Sequence, residues 1–359
     1  MFGTLKKILV QGAVGANVMS ALLLLVCGLT SYVNPASHPR LSLFCLGFPV
    51  LLVLNVAFVF FWLVFQVRKV WLPFVGMLFS APFIYMYCPV NWPHKKPKDA
   101  LKVLTYNVAS FSYADNDEDG NNPLLDYLTE SDADVICLQE AKPMKNVTLK
   151  ELDKAMEDAG YIPTRTFGEG RQRLYSRLPV ISSDSVHYQS VGNSSVAVRL
   201  LYDGDTVLFV NNHLESYRLT AADKQHYKDI IKDPERPEVD DDTRALVGKM
   251  AKASRARGPQ VDSVMQYIRQ ADCRAVVACG DFNDAPVSYT CQRFSSVLQD
   301  AYRQSGSGLG LSYVEKGFYF RLDHVFVSDY WQTYETGVDK SVKLSDHYPL
   351  VTYLVKRKK

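Results

Sequence analysis

The sequence predicts two unlike parts in one chain: an N-terminal three-helix transmembrane anchor and a C-terminal layered α/β domain. Three observations predict it. All 38 acidic residues lie after residue 92, whereas the first 92 residues hold only Lys6, Lys7, Arg40, Arg68 and Lys69. Three long apolar runs fill that acid-free segment. Beyond it, short strand-like runs alternate with helical patterns, as in a layered sandwich of sheets and helices. The formal charge of +2 therefore conceals a basic N-terminal segment and a remainder with 35 basic against 38 acidic residues. Residues 93–359 suffice for one well-buried core. Collagenous, disordered and small disulfide-stapled chains are excluded, and the mild acidity of the remainder lends no support to a strongly cationic nucleic-acid binder.

The anchor, residues 1–92, is expected to cross the bilayer at about 8–32, 41–66 and 70–90. Each run reaches the roughly 20 apolar residues that a crossing needs. Asn34 to Pro39 form a polar turn between the first two, and Gln66 to Lys69 a tight turn between the second and third. A cleaved signal peptide accounts for only one run. Three crossings put the N-terminus and the large domain on opposite faces. Lys6, Lys7, Arg68 and Lys69 flank one face, and Arg40, Lys95, Lys96 and Lys98 the other, so the Lys/Arg bias of the loops is even. The basic pair before the first inserting segment tips the reading toward a multi-pass cell-membrane protein with its large domain on the extracytoplasmic side. A transporter would require polar residues inside the runs, and they carry no Asp, Glu, Lys or Arg.

Residues 93–100 form a linker, within a polar, proline-bearing stretch that starts at Pro89. The domain then spans 101–359. Strands are expected at Leu101–Asn107, Asp134–Gln139, Val196–Tyr202, Thr206–Asn212, Arg274–Cys279, Leu322–Val327 and Leu350–Val355, from period-two alternation or short β-branched runs. Pro123–Glu130 can form a short helix. Thr148 and Glu151 make a capping box that opens another, which Gly160 can close. Residues 217–260 are polar, with the run DPERPEVDDD, and read as an exposed insertion; Val261, Val264, Met265 and Ile268 then mark an amphipathic helix against the sheet. Cys27, Cys45 and Cys88 belong to the apolar runs. Cys137, Cys273, Cys279 and Cys291 match no zinc or redox spacing, and Cys137 and Cys279 read as small buried hydrophobes.

Polar residues collect at the strand ends, where layered α/β proteins build their sites. Asn107 ends LKVLTYN, Glu140 ends VICLQE and His213 ends VLFVNNH; Asp281 and Asn283 close AVVACGDFND, Asp323 and His324 lie in RLDHVFV, and Asp346 and His347 in LSDHYPL. Any one of these could be an ordinary polar strand cap, but six in one domain form a constellation. Carboxylates with an amide and no cysteine suit a hard divalent cation, Mg²⁺ or Mn²⁺, rather than zinc. A cation of that kind with histidines and asparagines nearby suits phosphoryl chemistry, in which the metal offsets developing charge and a carboxylate or histidine activates water. Phosphate-loop, GxGxxG, HExxH and GxSxG motifs do not occur.

The ordered set TYNV, LQE, NNHLES, GDFN, RLDHV and SDHYP resembles the endonuclease/exonuclease/phosphatase superfamily, DNase I-like metal-dependent phosphoesterases, and the chain looks like a membrane-anchored, bacterial-type member. The resemblance runs from about Leu101 to Val355. It implies a four-layered α/β sandwich with two central sheets. It also implies that Glu140 is the main metal ligand, with Asn107 and Asp346 beside the metal. Asp281 would orient or deprotonate the attacking water, Asn283 would contact the phosphate, and His347, polarised by Asp323, would act at the scissile phosphate; the base is assigned jointly to Asp281 and His347. His213 is similar to the histidine of DNase I, sphingomyelinases and 5-phosphatases, whereas repair nucleases carry a tyrosine-containing segment there. His324 reads as structural. The stretch FGEGRQRLYSRLPV departs from the pattern by carrying Arg171 and Arg173, and Glu169 is a candidate partner for His213. The implied activity is hydrolysis of a phosphodiester or phosphomonoester. The partners are the lipid bilayer and a phosphate-ester substrate, a phospholipid headgroup or nucleic acid, with no protein partner inferable. The alternatives are a membrane-tethered nuclease and an inactive membrane scaffold, the latter opposed by a motif set with no member missing.

Overall fold

The computed structural model describes residues 2–142, 146–164, 171–190, 192–233, 239–315 and 317–358. The chain opens with helices α1 (Phe2–Leu29), α2 (Pro39–Ser42), α3 (Phe48–Phe65), α4 (Trp71–Phe79) and α5 (Ala81–Tyr87). Two segments, Lys7–Tyr32 and Pro39–Phe65, are long and apolar enough to cross a membrane. The expected third span is instead a pair, α4 and α5, bent by 70° at Ser80. The break has a cause in Pro82, which sits in the first turn of α5 and cannot donate a helical hydrogen bond there. Among the described residues the candidate spans thus number two, or three if the bent pair counts as one. Within the bundle a Cβ on Gly76 would lie 2.4 Å from that of Ala21, so α4 packs backbone-close on α1. Asn55 donates to Ser20 Oγ at 2.9 Å, and Trp62 Nε1 to Asn17 Oδ1 at 2.9 Å.

The rest is two six-stranded sheets between helices. Its strands are β1 (Leu101–Asn107), β2 (Val135–Gln139), β3 (Ile162–Pro163), β4 (Arg173–Ser176), β5 (Val180–Val186), β6 (Ser194–Tyr202), β7 (Asp205–His213), β8 (Ala275–Asp281), β9 (Gln299–Asp300), β10 (Tyr313–Glu315), β11 (Phe318–Phe320), β12 (Asp323–Val327), β13 (Trp331–Val338) and β14 (Leu350–Lys356). One sheet runs β13-β14-β1-β2-β4-β3 and the other β5-β6-β7-β8-β12-β9, with β10–β11 a separate hairpin. Period-two alternation sorts each strand's side chains. Val103, Cys137, Phe209, Val277 and Val325 point between the sheets into one core. Leu104 and Ile136 face the opposite way, toward α6 (Pro123–Glu130) and α7 (Leu149–Asp158). Leu208, Ala278 and Phe326 face α9 (Val239–Gln270) and α10 (Tyr289–Ser295). The order helix, sheet, sheet, helix is the expected four-layered sandwich.

The polar stretch 217–260 differs from expectation. It forms α8 (Ala221–Lys232), capped by Thr220 and Asp223, and the first two-thirds of the 32-residue α9. Charge density alone misleads here, because a helix with one apolar face tolerates acidic residues on its other faces. The seven cysteines are free, and Cys137 and Cys279 are buried in the inter-sheet core.

The N-terminal bundle is packed onto this sandwich. Ser42 Oγ lies 2.9 Å from Ser254 Oγ of α9, and Gly258 of α9 abuts Asn34 and Pro35. Val287 inserts among Leu24, Phe48 and Phe83. Fully buried Arg321 donates to the carbonyl of Met86 at 2.6 Å, and Asn91 donates to those of Arg303 and Gly306.

Candidate active site

Register assembles the site. In the parallel β7–β8 pair His213 stands opposite Asp281, and in the antiparallel β8–β12 pair Asp323 stands opposite the same Asp281. Parallel β1–β2 pairing sets Asn107 opposite Gln139, one residue before Glu140. Gly280 makes the close approach possible: with φ +128°, a Cβ there would fall 2.0 Å from the Asn212 carbonyl oxygen. Glu140 and Asn283 both adopt φ near +50°, a conformation costly for residues with a side chain and frequent at functional sites. The two sheets are tied at this end by buried Asn211, which donates to the carbonyls of Leu138 and Arg173 and accepts from Gln139 Nε2 at 2.6 Å.

The side chains converge on a small volume. Asn107 Nδ2 donates to Glu140 Oε1 at 3.2 Å and to Asp281 Oδ2 at 3.0 Å. Its oxygen accepts from the Ala109 N–H at 3.1 Å. Asn107 thus braces the two carboxylates, and it would offer its oxygen to a cation only after its amide turned over. His213 Nε2 lies 3.6 Å from Glu140 and 3.7 Å from Asp281; neither ring nitrogen has a hydrogen-bond partner among the described residues although His213 is buried. His347 Nε2 is 3.7 Å from Asp281 Oδ2, and its Nδ1 lies 2.7 Å from Asp323 Oδ2. Asn283 donates its amide N–H to Leu214 O at 3.0 Å, and its backbone N–H to Asp281 Oδ1 at 2.8 Å, so it shapes the loop that carries Asp281. Asp346 reaches the same cleft after Ser345, whose hydroxyl caps the Asn107 carbonyl at 2.7 Å.

Electrostatics separate the roles available. Burial pushes the Asp281 carboxyl above the usual range, against the pull of His347. Asp346 is likewise raised by burial, which the nearby His347 opposes and Glu140 reinforces. His347 runs the other way: burial would lower it, but Asp323 and Asp281 outweigh that and hold it up at about 10. At neutral pH the imidazole is a cation that donates from Nε2. Among the described residues no three His, Cys, Asp or Glu side chains close a metal cage. Glu140, partly exposed beside Asp346, instead fits a hard cation that one or two carboxylates hold while water fills its other positions.

Asp284 and Arg257 matter here and have no sequence signal of their own. Asp284, next to Asn283, is buried; it lies 3.0 Å from the Nη1 of fully buried Arg257 on α9 and accepts from Thr290 Oγ1 at 2.7 Å. His324 takes a structural place, its Nε2 3.0 Å from the Asp284 carbonyl. Arg173 is also structural, a buried strand residue 2.6 Å from Asp153. Glu169 lies outside the described residues. The cleft holding the site has a volume of about 560 Å³. A larger depression of about 1350 Å³ around Tyr202, Arg274 and Lys356 is remote, at the opposite ends of the strands that carry His213 and Asp281.

A sequence profile described as Endonuclease/Exonuclease/phosphatase family matches residues 104–347. A second, described as a domain of unknown function (DUF8431), matches residues 6–87. No curated protein sequence matches the chain. Among solved structures, TDP2 of D. rerio complexed with a single-strand DNA product is similar at 15% identity and a TM-score of 0.51, over 72% of this chain and 100% of that one. The catalytic domain of human nocturnin with bound sulfate aligns at 15% identity and a TM-score of 0.47, over 75% and 96%. A family protein from Bacteroides thetaiotaomicron aligns at 17% and 0.47, over 74% and 100%. At such identities the TDP2 likeness bears on the fold.

Proposed function

The chain belongs to the endonuclease/exonuclease/phosphatase family and is a hydrolase of phosphate esters, and we propose that it works at a membrane with a divalent cation, Mg²⁺ or Mn²⁺, cleaving a phosphate ester by attack of water. The observation that carries this reading is the convergence of Glu140, Asp281, His213 and His347, from four different segments, around a space that no side chain among the described residues fills. Glu140, with Asp346 in reach, would hold the cation, joined by the Asn107 oxygen once that amide turns over. Once bound, it would polarise the phosphate and offset its developing charge. Asp281, a buried carboxylate braced by Asn107 and the Asn283 backbone, accepts the proton of the attacking water at Oδ2. His347, charged and fixed by Asp323, donates from Nε2 to a phosphate oxygen. His213, with both nitrogens unengaged, is positioned to protonate the leaving oxygen. Asn283 would meet the phosphate only by releasing Leu214.

The packing of the bundle supports three crossings. Asn34 and Pro35, in the turn between the first two apolar segments, touch α9, so that turn and the catalytic domain share one face. The chain leaves that face through α3 and must come back to it, which gives the bent α4–α5 pair the return crossing. With Lys6 and Lys7 inside, the shared face is extracytoplasmic.

The test uses the full chain in lipid nanodiscs with bis(p-nitrophenyl) phosphate. Mg²⁺-dependent release of nitrophenol, lost with chelator and reduced at least about 1000-fold in Glu140→Ala and His347→Ala, is expected. Retained activity in both variants would sink the assignment.

A further inference from the structure

The catalytic cleft does not end at the carboxylates. From Asp346 and His347 it continues between α8, α9 and the β10–β11 hairpin, and its far wall is Leu46 of the N-terminal bundle, two residues before α3 begins. Leu246, Val247 and Met250 line it from one face of α9, and Phe318 and Phe320 from the hairpin. Phe318 is held in place against Tyr227 of α8, ring centroids 4.9 Å apart. A polar catalytic end and an apolar extension make one continuous cavity, of a size that encloses a small ligand.

Resting on the phosphoesterase reading above, we infer that this extension holds the hydrocarbon chain of the substrate, and that the substrate is a lipid phosphoester drawn from the membrane. Three features fix the occupant. The apolar wall abuts the phosphate end, so a single amphiphile fills both. Leu46 at the far wall lies within the segment Pro39–Phe65 that is apolar enough to cross a bilayer, so that end of the slot borders the part of the chain that lipid would surround and a tail has a short path into it. The cationic residues lining the cleft are all ion-paired, His347 with Asp323, Arg218 with Glu215 at 3.0 Å and Lys224 with Glu315, and four acidic residues line it as well. A nucleic-acid strand needs a track of uncommitted positive charge along its phosphates; a lipid tail needs only apolar walls. The bundle is then part of the active site and not simply a tether.

The experiment compares methyl p-nitrophenyl phosphate with dodecyl p-nitrophenyl phosphate on the full chain in nanodiscs. Scissile bond and leaving group are the same, and only the chain differs. Each enclosed methylene is worth about four-fold in binding, so a kcat/KM ratio of at least about 50 in favour of the dodecyl diester is expected. Val247→Trp and Leu46→Trp, which fill the slot from opposite walls, should each cut that ratio at least about ten-fold. Because the ratio is taken within one variant, partial misfolding cancels, and because partition into the nanodisc is common to all variants, it cancels too. A wild-type ratio within about two-fold of one, or a ratio that neither substitution changes, overturns the proposal while leaving the phosphoesterase reading intact. If neither diester is cleaved, the phosphoesterase reading fails, and the slot is judged by binding alone. Dodecyl phosphate should then raise the melting temperature of the wild type more than methyl phosphate does, and lose that advantage in both variants; equal shifts overturn the slot.

Discussion

Asp323 Oδ2 lies 2.7 Å from His347 Nδ1, and both residues are buried, so the imidazole has one orientation and its Nε2 points at Asp281. The pair sits on different segments 24 residues apart, and it is antiparallel pairing of Asp323 with Asp281 that brings its carboxylate to the histidine.

Asp323→Asn should keep the fold and lower kcat by about 10²- to 10⁴-fold, because an amide neither fixes the tautomer nor supports the charge. The same pair predicts a pH dependence of stability. His347 titrates near 10 in the folded protein and near 6.5 when unfolded. Its folded-state pKa is raised, so its stabilisation is full below about 6.5 and is lost as pH climbs through about 10. Melting temperatures of wild type and Asp323→Asn, measured from pH 6 to 10, should differ most at pH 6 and converge at pH 10. A constant gap across that range would refute the pairing.

Divalent cation should stabilise the protein independently of turnover. At a hundredfold excess of Mg²⁺ over its Kd the folded state gains about 2.7 kcal/mol, read as a rise in melting temperature that chelator reverses. Glu140→Gln should abolish that rise. His213→Gln should keep it while losing activity, since His213 is assigned to the leaving oxygen and not to the cation.

Arg257 and Asp284 form a buried ion pair between α9 and the loop that carries Asp281 and Asn283. Arg257→Met leaves an unpaired buried carboxylate and should cost about 3 to 5 kcal/mol. The double variant Arg257→Met/Asp284→Asn should recover part of that, as measured by thermal unfolding in nanodiscs.

Gly280→Ala should be the most damaging single methyl group in the domain. It forces a Cβ into the Asn212 carbonyl and imposes a side chain on φ +128°. A loss of about 2 kcal/mol or more is expected, with activity falling as the His213–Asp281 register shifts; chemical denaturation and turnover together check it.

Much of this was legible in the sequence, for reasons particular to each element. Asn107, Glu140, His213, Asp281 and Asp323 are legible as a set because each terminates or opens an apolar strand; one alone could be an ordinary polar cap, but their number in one domain exceeds what caps account for. Asp346 and His347, in a loop, were found by motif. Asp284 and Arg257 stayed hidden because an Asp after GDFN and an Arg in a charged helix look like surface residues; only the long-range packing of α9 buries them. The run DPERPEVDDD, 233–242, suggests an insertion, since periodicity is hard to see where the apolar face is narrow, yet α9 begins within it at Val239. In the third apolar run composition indicates a crossing at about 70–90 but does not register the break that Pro82 makes at Ser80. Leu46 as part of the catalytic cleft had no sequence signal at all.

The insertion of Val287 among Leu24, Phe48 and Phe83, with Arg321 bonded to the Met86 carbonyl, bears on how the enzyme can be handled. A version cut at the linker, starting near residue 93, would strip a greasy plug of its socket and leave a buried guanidinium without its acceptor. Such a fragment would tend to aggregate, and any activity it kept would describe an enzyme missing one wall.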